Sequence, residues 1–439
     1  YQLDYGNGRV TISESDWNKL YARLDHMRPQ FIRMMVYTTD YLKNGKLDEM
    51  YDFDQVSKIL TYCQERGITG DWGGRMVDPV TNRIDTFMLS NAARYADFLV
   101  NRKGYDCIKY YNMINEPNGD WSSNQANYDL WARAIRYFDR RMHDYGLADK
   151  VGLAGPDAAI WDQSEAWWID SCATRFNEAI KLYDIHTYPP KSTVNSGEYS
   201  KIIRAYKERV PQGSQIIMGE IGLKFLKTDT LLEKENNERI SKVPHASRED
   251  SQMFVYDHFY GIDMADALFQ TMNEGFSGAL IWMLDDAMHS KTEEGPDKLK
   301  IWGFWNILGE EYFGGAKEEE VRPSYYAWSL LSKYIPKGST VYAVETGEDK
   351  GVRAVAVEHK GKYTIGVVNV SGQERTVLFK SNSLPVLEDI RQYNYIENEI
   401  LKEGDCKQLP NVTGIKLNLE KGLFLELPTD GLVVYTNME

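Results

Sequence analysis

The sequence predicts an α/β chain, a (β/α)₈ barrel followed by a C-terminal all-β sandwich. Two observations carry this expectation. Between about residues 31 and 331, short apolar runs alternate with longer stretches of helical periodicity, the pattern of βα units around a parallel sheet. After Pro336-Lys337-Gly338-Ser339 the helical stretches stop. Short β-rich runs separated by Gly, Asn and Asp turns then fill the remainder, which is the spacing of a sandwich. The division expected is a barrel over 1–336 and a sandwich over 337–439. A chain of 439 residues suits two units, since such barrels run to about 250 residues or more as one.

Taken in order, residues 16–27 read as a helix, with Ser15 or Asp16 as its cap and Trp17, Leu20 and Leu24 on its apolar face. Strands are expected at 31–36, 68–72, 108–114, 151–154, 182–186, 216–221 and 279–284. Helices are expected between them, near 54–66, 90–102, 125–145, 164–175, 197–208 and 248–273, with 325–334 as the last. Seven strands are visible where a closed barrel needs eight. The missing one has to precede residues 16–27, and residues 1–5 have room only for its end. The visible runs therefore take positions two to eight. The sandwich strands are read at 340–344, 352–357, 363–370, 376–380, 390–395, 415–419, 422–427 and 431–436.

Composition narrows the partners. With 51 Lys and Arg against 65 Asp and Glu, the net charge is −14, which argues against nucleic acid and anionic membranes. No stretch reaches a transmembrane length. Aromatic residues make up 13% of the chain, including 11 Trp and 29 Tyr, and flat aromatic faces suit sugar rings as well as large cores. Cys63, Cys107, Cys172 and Cys406 lie far apart, no Cys/His cluster has metal spacing, and free thiols are expected. The start at Tyr1 without Met is read as processing; a cleaved secretion signal, which fits a secreted, periplasmic or cell-surface protein, would produce it, and so would a trimmed start.

Active residues of a (β/α)₈ barrel sit at the C-terminal ends of its strands. The fourth position ends Asn112-Met113-Ile114-Asn115-Glu116-Pro117 and the seventh ends Met218-Gly219-Glu220, each placing a glutamate where an apolar strand opens into a loop. These positions face each other across a barrel mouth. Two carboxyl groups about 5–5.5 Å apart are what glycosidic cleavage with retention requires.

Asn115-Glu116-Pro117 with a second strand-end glutamate about a hundred residues later resembles the clan A retaining glycoside hydrolases, such as families 5, 30, 39 and 51. The likeness runs through the barrel into the sandwich. It implies that Glu116 is the general acid/base, that Glu220 is the nucleophile, and that Asn115 holds the sugar 2-hydroxyl. It also implies an arginine near the nucleophile, matched by Arg33; a His-x-Tyr pair lining the site, matched by His186 and Tyr188; and an aromatic platform, matched by Trp282. Asp71 and Trp72 end the third strand and Trp121 lies just after Glu116; they are further candidates for binding sugar, with Gly73-Gly74 letting the loop pass close to ligand. Arg33 is expected to lower the pKa of Glu220, whose charge then raises that of Glu116, giving a bell-shaped pH–rate profile on the acid side of neutral.

The expected function is hydrolysis of O-glycosidic bonds in a neutral oligo- or polysaccharide, with no cofactor and no metal. A non-catalytic carbohydrate-binding barrel would keep the aromatics and lose a carboxylate. A transglycosylase would use the same residues and differ in excluding water. A metal-dependent barrel needs clustered ligands such as His-x-His, which the seven histidines do not provide.

Overall fold

The computed structural model describes residues 12–439 except 52, 75–80, 82, 225–228, 290–293, 296, 348–350 and 385. The strand expected to end within residues 1–5 lies outside the described residues. The chain enters through α1 (Glu14–Met27), which is capped by Ser13: its Oγ accepts from the Asp16 N–H at 3.1 Å. The cap sits two residues earlier than the sequence suggests.

Seven parallel strands then follow in chain order around a nearly closed barrel: β1 (Phe31–Met35), β2 (Thr69–Gly73), β3 (Ile108–Asn112), β4 (Gly152–Ile160), β5 (Ile180–Thr187), β6 (Ile216–Ile221) and β7 (Gly278–Ile281). They match the runs expected at positions two to eight. Between β1 and β7 lies a cavity of about 430 Å³ lined by Phe31, Ile32, Ile217, Leu280 and Trp282. The outer layer comprises α2 (Phe53–Arg66), α3 (Thr86–Asp97), α4 (Tyr128–Asp144), α5 (Trp167–Arg175), α6 (Glu198–Lys207), α7 (Thr230–Lys242), α8 (His258–Asn273) and α9 (Pro323–Tyr334). Barrel strands covered by helices outside and by side chains inside are buried on both faces. All six residues of β6 are buried, as are seven of the eight in β5, so polar members there stand out: Asp184, His186, Thr187 and Glu220.

Three elements depart from expectation, the first being the helix expected over 248–273, which begins only at His258 as α8. β4 does not stop at Ala154 but runs on through Gly155-Pro156-Asp157 to Ile160, because the buried run continues beyond a Gly-Pro that reads as a break. α7 occupies a segment for which no helix is expected. Among its residues only Ile240 is buried, so it has no apolar stripe to betray it. Among the described residues, no helix is long and apolar enough to cross a membrane.

Beyond α9 come β8 (Thr340–Tyr342), β9 (Val352–His359), β10 (Lys362–Asn369), β11 (Arg375–Phe379), β12 (Leu387–Tyr395), β13 (Val412–Leu417), β14 (Leu423–Leu427) and β15 (Gly431–Thr436). Six form one sheet, ordered β8-β9-β10-β15-β12-β13, and β11 pairs with β14. Alternate residues of the larger sheet serve two cores. Val352, Ala354, Ile365, Val367 and Val433 pack with Phe379, Leu425 and Leu427 of the β11–β14 pair. Val355, Val357, Val368, Leu432 and Val434 belong to the barrel's own apolar cluster, which includes Phe269 of α8 and Leu330 of α9. Buried polar contacts fasten the same face. Arg353 binds Asp266 through both carboxylate oxygens at 2.8 and 2.9 Å, and the Tyr395 hydroxyl donates to the His258 carbonyl at 2.9 Å.

All four cysteines are free; Cys63, Cys107 and Cys172 are buried.

Candidate active site

After β3 the chain turns sharply, and Glu116 adopts φ +48°, in the left-handed region. For a residue with a Cβ this costs about 1–3 kcal/mol and persists only where neighbours enforce it. Here Ser122 Oγ donates to the Asn115 carbonyl at 3.0 Å, and Asn124 Nδ2 donates to the Pro117 carbonyl at 2.8 Å. The turn aims Glu116 back across the barrel mouth.

Glu220, at the end of β6, meets it there. Arg33 Nη1 donates to Glu220 Oε1, and the Tyr188 hydroxyl donates to Oε2 at 2.5 Å. His186 Nδ1 lies 3.1 Å from Glu116 Oε1 and 3.5 Å from Glu220 Oε2. The contacting atoms of Glu116, His186 and Glu220 all fall within 4.8 Å of one another, so the two carboxylates share one small space. Trp121 Nε1 donates to the other oxygen of Glu116 at 2.6 Å, while its ring stays 55% exposed at the rim. Arg33 Nη2 also donates to Asn115 Oδ1 at 2.8 Å. Trp282 is half-buried and lines the cavity that Arg33 and Glu220 also line. The structure thus brings together Arg33, Asn115, Glu116, Trp121, His186, Tyr188 and Glu220.

Two candidates do not join them. Successive strand residues point to opposite faces. Trp72 is 1% exposed and packs toward Tyr95 of α3 on the outside of the barrel, so it offers no surface to a sugar. Asp71 points inward but lies beneath the mouth, fully buried, with an oxygen 4.0 Å from Arg33 Nε. Gly73 and Gly74 serve strand packing: a Cβ at either would strike the Asn112 or Val36 carbonyl at under 2 Å. Asp285 and Asp286 are buried loop caps, the latter bound to Arg322 at 2.5 Å.

Sequence reasoning missed Asp157 and Asp184. Asp157 Oδ2 accepts from Arg33 Nη2 at 2.9 Å, and Oδ1 lies 2.7 Å from His186 Nε2, an ion-pair distance not aligned as a hydrogen bond. Asp184 is fully buried, and among the described residues neither of its oxygens accepts from an N–H or O–H donor. Gly219 was the available signal. A Cβ there would lie 2.1 Å from Asp184 Oδ1, so the glycine makes room for the acid.

The electrostatics reverse the expected division between the glutamates. Burial raises the Glu220 carboxyl, and the charges of His186 and Arg33 oppose this without overcoming it. Burial also raises Glu116, but the His186 hydrogen bond and charge, with the Trp121 N–H, outweigh it and leave Glu116 below the usual carboxylate range. Burial lowers His186, yet the charges of Asp157 and Glu220 carry it well above the ordinary imidazole value. Asp157 is pushed up by burial but held down at about 2 by Arg33 and His186.

Glu116–His186–Glu220 and Asp157–Asp184–His186 each gather atoms that can ligate a metal. The two sets share one imidazole, and the Arg33 guanidinium binds a carboxylate of each, opposing a further cation.

No protein-family model matches the sequence, nor does any curated protein. Solved structures do. A family 30 subfamily 8 xylanase, Xyn30A, from Clostridium acetobutylicum aligns over 97% of this chain and 92% of its own, at 11% identity and TM-score 0.63. A family 39 β-xylosidase from Caulobacter crescentus aligns over 97% and 92%, at 14% identity and TM-score 0.61. A glucosidase from Croceicoccus marinus aligns over 98% and 92%, at 11% identity and TM-score 0.63. The likeness spans barrel and sandwich and establishes the fold.

Proposed function

We propose that the chain is a retaining β-glycosidase that hydrolyses O-glycosidic bonds of a neutral oligo- or polysaccharide by double displacement, with Glu220 as nucleophile and Glu116 as acid/base. The observation that carries this is the pair of strand-end carboxylates whose oxygens lie within 4.8 Å of each other, with an imidazole between them. That separation suits attack on the anomeric carbon without an intervening water. The xylanase, xylosidase and glucosidase activities of the structural neighbours support the same reading. We take residues 1–336 as the catalytic unit and 337–439 as a brace on α8 and α9. A polysaccharide substrate would place such an enzyme in the periplasm, at the cell surface or beyond it.

In the first step Glu220 attacks the anomeric carbon while Glu116 protonates the departing oxygen. Glu220 loses its charge, and Glu116, ionised again, takes a proton from the water that releases the sugar. Arg33 and the Tyr188 hydroxyl hold Glu220 in position and keep it ionised against its burial. Without ligand, the proton shared by Glu116 and His186 resides on the imidazole. A bound sugar expels water, and a desolvated ion pair is costly relative to its neutral form. The proton then crosses the 3.1 Å contact from Nδ1 to Glu116, arming the acid. Asn115 faces the sugar 2-hydroxyl, and Trp282 and Trp121 supply apolar surface on either side.

The test is azide rescue of Glu220→Gly on an activated aryl β-glycoside. An α-glycosyl azide is expected as product. Turnover by Glu220→Gly within a few-fold of the unaltered protein would falsify the nucleophile assignment.

A further inference from the structure

We propose that Asp157 is a positioning residue for proton transfer: it anchors Nε2 of His186 so that Nδ1 exchanges its proton with Glu116 and with no other group. This deepens the double-displacement reading and rests on it.

Asp157 touches three parts of the site from one carboxylate. Oδ1 faces His186 Nε2 at 2.7 Å. Oδ2 accepts from Arg33 Nη2 at 2.9 Å and lies 3.4 Å from the Glu116 backbone N–H. Its own backbone sits in the left-handed region at φ +64°, a conformation that costs energy and is kept only where surroundings demand it. The side chain is buried, so these contacts are not incidental surface pairing.

The imidazole is bracketed by anions. Around His186 stand Glu116 from the end of β3, Asp157 from β4, Glu220 from β6, Asp184 from its own strand, and Arg33 from β1. A neutral imidazole carries one N–H. If Nε2 gave up its proton, its lone pair would sit 2.7 Å from the Asp157 carboxylate oxygen in a dry interior, a repulsion that needs no alignment between them. Asp157 cannot relieve this by taking the proton, because Arg33 keeps it ionised. Nε2 therefore stays protonated throughout, and the mobile proton is confined to the other side, between Nδ1 and Glu116. The tautomer is set by the charge of the carboxylate behind the ring.

Asp184 keeps this anchor from carrying excess charge. Its carboxyl oxygen lies within 4.8 Å of the contacting atoms of Asp157 and His186, and no N–H or O–H donor among the described residues reaches it. Two ionised carboxylates this close disfavour each other, and here one of them has no donor among the described residues to offset its charge, so one holds a proton. Arg33 binds Asp157, which leaves the proton on Asp184.

The experiment measures kcat/KM and its pH profile for the unaltered protein and Asp157→Asn, on aryl β-glycosides whose leaving groups run from 2,4-dinitrophenol to phenol. General acid catalysis is worth about 10²–10⁴-fold and matters little for dinitrophenolate, which leaves unaided. Asp157→Asn is expected to lose about a hundredfold on the phenyl glycoside and at least about ten times less on the dinitrophenyl glycoside. Its alkaline limb should fall to lower pH. Equal losses on both substrates with an unmoved alkaline limb would overturn the proposal. A second measurement needs no folded variant at Asp157: ¹⁵N spectra of histidine-labelled protein, with His186 assigned by its absence in His186→Gln. Nε2 protonated on both sides of neutrality is expected, and an unprotonated Nε2 overturns the anchor. Failed azide rescue of Glu220→Gly would instead remove the reaction itself, whatever Asp157 does.

Discussion

Buried charge is handled differently at the barrel mouth and at the seam between barrel and sandwich. At the seam each buried acid of α8 has its own cation. Arg353 Nη1 donates to both carboxylate oxygens of Asp266, and Asp263 takes Lys191 at 2.7 and 2.8 Å. At the mouth, Arg33 is shared by Glu220, Asp157 and more distantly Asp71, His186 is shared by Glu116, Glu220 and Asp157, and Asp184 has no donor among the described residues. Pairing one to one is how a buried ion pair becomes tolerable in a structure. Burial raises the seam acids too, Asp263 to about 6 and Asp266 to about 7, but acids outnumbering cations in a concave site also let a proton move between groups, as chemistry requires and stability does not. The contrast sorts two sets of buried aspartates that composition alone would treat alike.

The contrast is broken most severely at Glu220. Glu220→Gly should lower hydrolysis of an aryl β-glycoside by more than about a thousandfold while leaving the unfolding midpoint in urea unchanged or higher, because the substitution removes a desolvated acid. Loss of activity together with loss of folding would move Glu220 to the structural side.

The converse holds at the seam. Asp266→Ala strands the Arg353 guanidinium, with only the Val194 and Asn195 carbonyls at 3.3 and 3.0 Å to receive it. Removing one partner of a buried pair costs about 3–5 kcal/mol. Urea unfolding should show this cost, with kcat/KM of the folded protein within about twofold of the original, since the sites share no partner. A large fall in kcat/KM at full folding would show that the sandwich does more than brace the barrel.

These contrasts were only partly legible beforehand. Asn115, Glu116 and Glu220 announce themselves because they close apolar strands, and Arg33, His186 and Tyr188 because they fall at matching positions on other strands. Asp157 does not, because Gly155-Pro156 reads as the end of a strand that in fact runs to Ile160. Asp184 lies in the middle of a strand, where an acid has no standard reading. Trp72 was misjudged because all five residues of β2 are buried, and a continuous buried run does not disclose which face each side chain takes. The sandwich was visible as strands. Its docking on α8 and α9 was not, because a sheet with two apolar faces does not name what covers either.

Asp71 sharpens the comparison through pH. Burial, opposed by Arg33, pushes its carboxyl up to about 7, against 3.8 for the free group. The folded state then holds a proton that the unfolded state has released, so folding stability from this group is present below about pH 4 and is lost as pH rises through about 7. The slope is about 1.4 kcal/mol per pH unit within that window. Asp71→Asn, an isostere of the neutral acid, should flatten the fall in urea stability across this range. An unchanged slope would show that Asp71 is ionised in the fold and the mouth better compensated than it looks.

The smallest effect expected belongs to Trp121, among the described residues the one exposed donor on Glu116. Its N–H stabilises the ionised carboxylate, as the His186 contact does, but from a ring open to solvent where water can replace it. Trp121→Phe keeps the apolar face and deletes the donor. Glu116 then holds its proton to higher pH, so the alkaline limb of kcat/KM should rise, by less than about one pH unit. Both limbs of the original profile are expected to lie higher than ordinary values would place them: the acid limb follows Glu220, raised by burial, and the alkaline limb follows the His186–Glu116 pair, raised by Asp157 and Glu220. The optimum therefore belongs nearer neutrality than the acid-side value that the arginine alone suggests. A downward movement of the alkaline limb in Trp121→Phe would mean that the indole N–H contacts the protonated acid, and would return Glu116 to the raised state expected from its sequence neighbours.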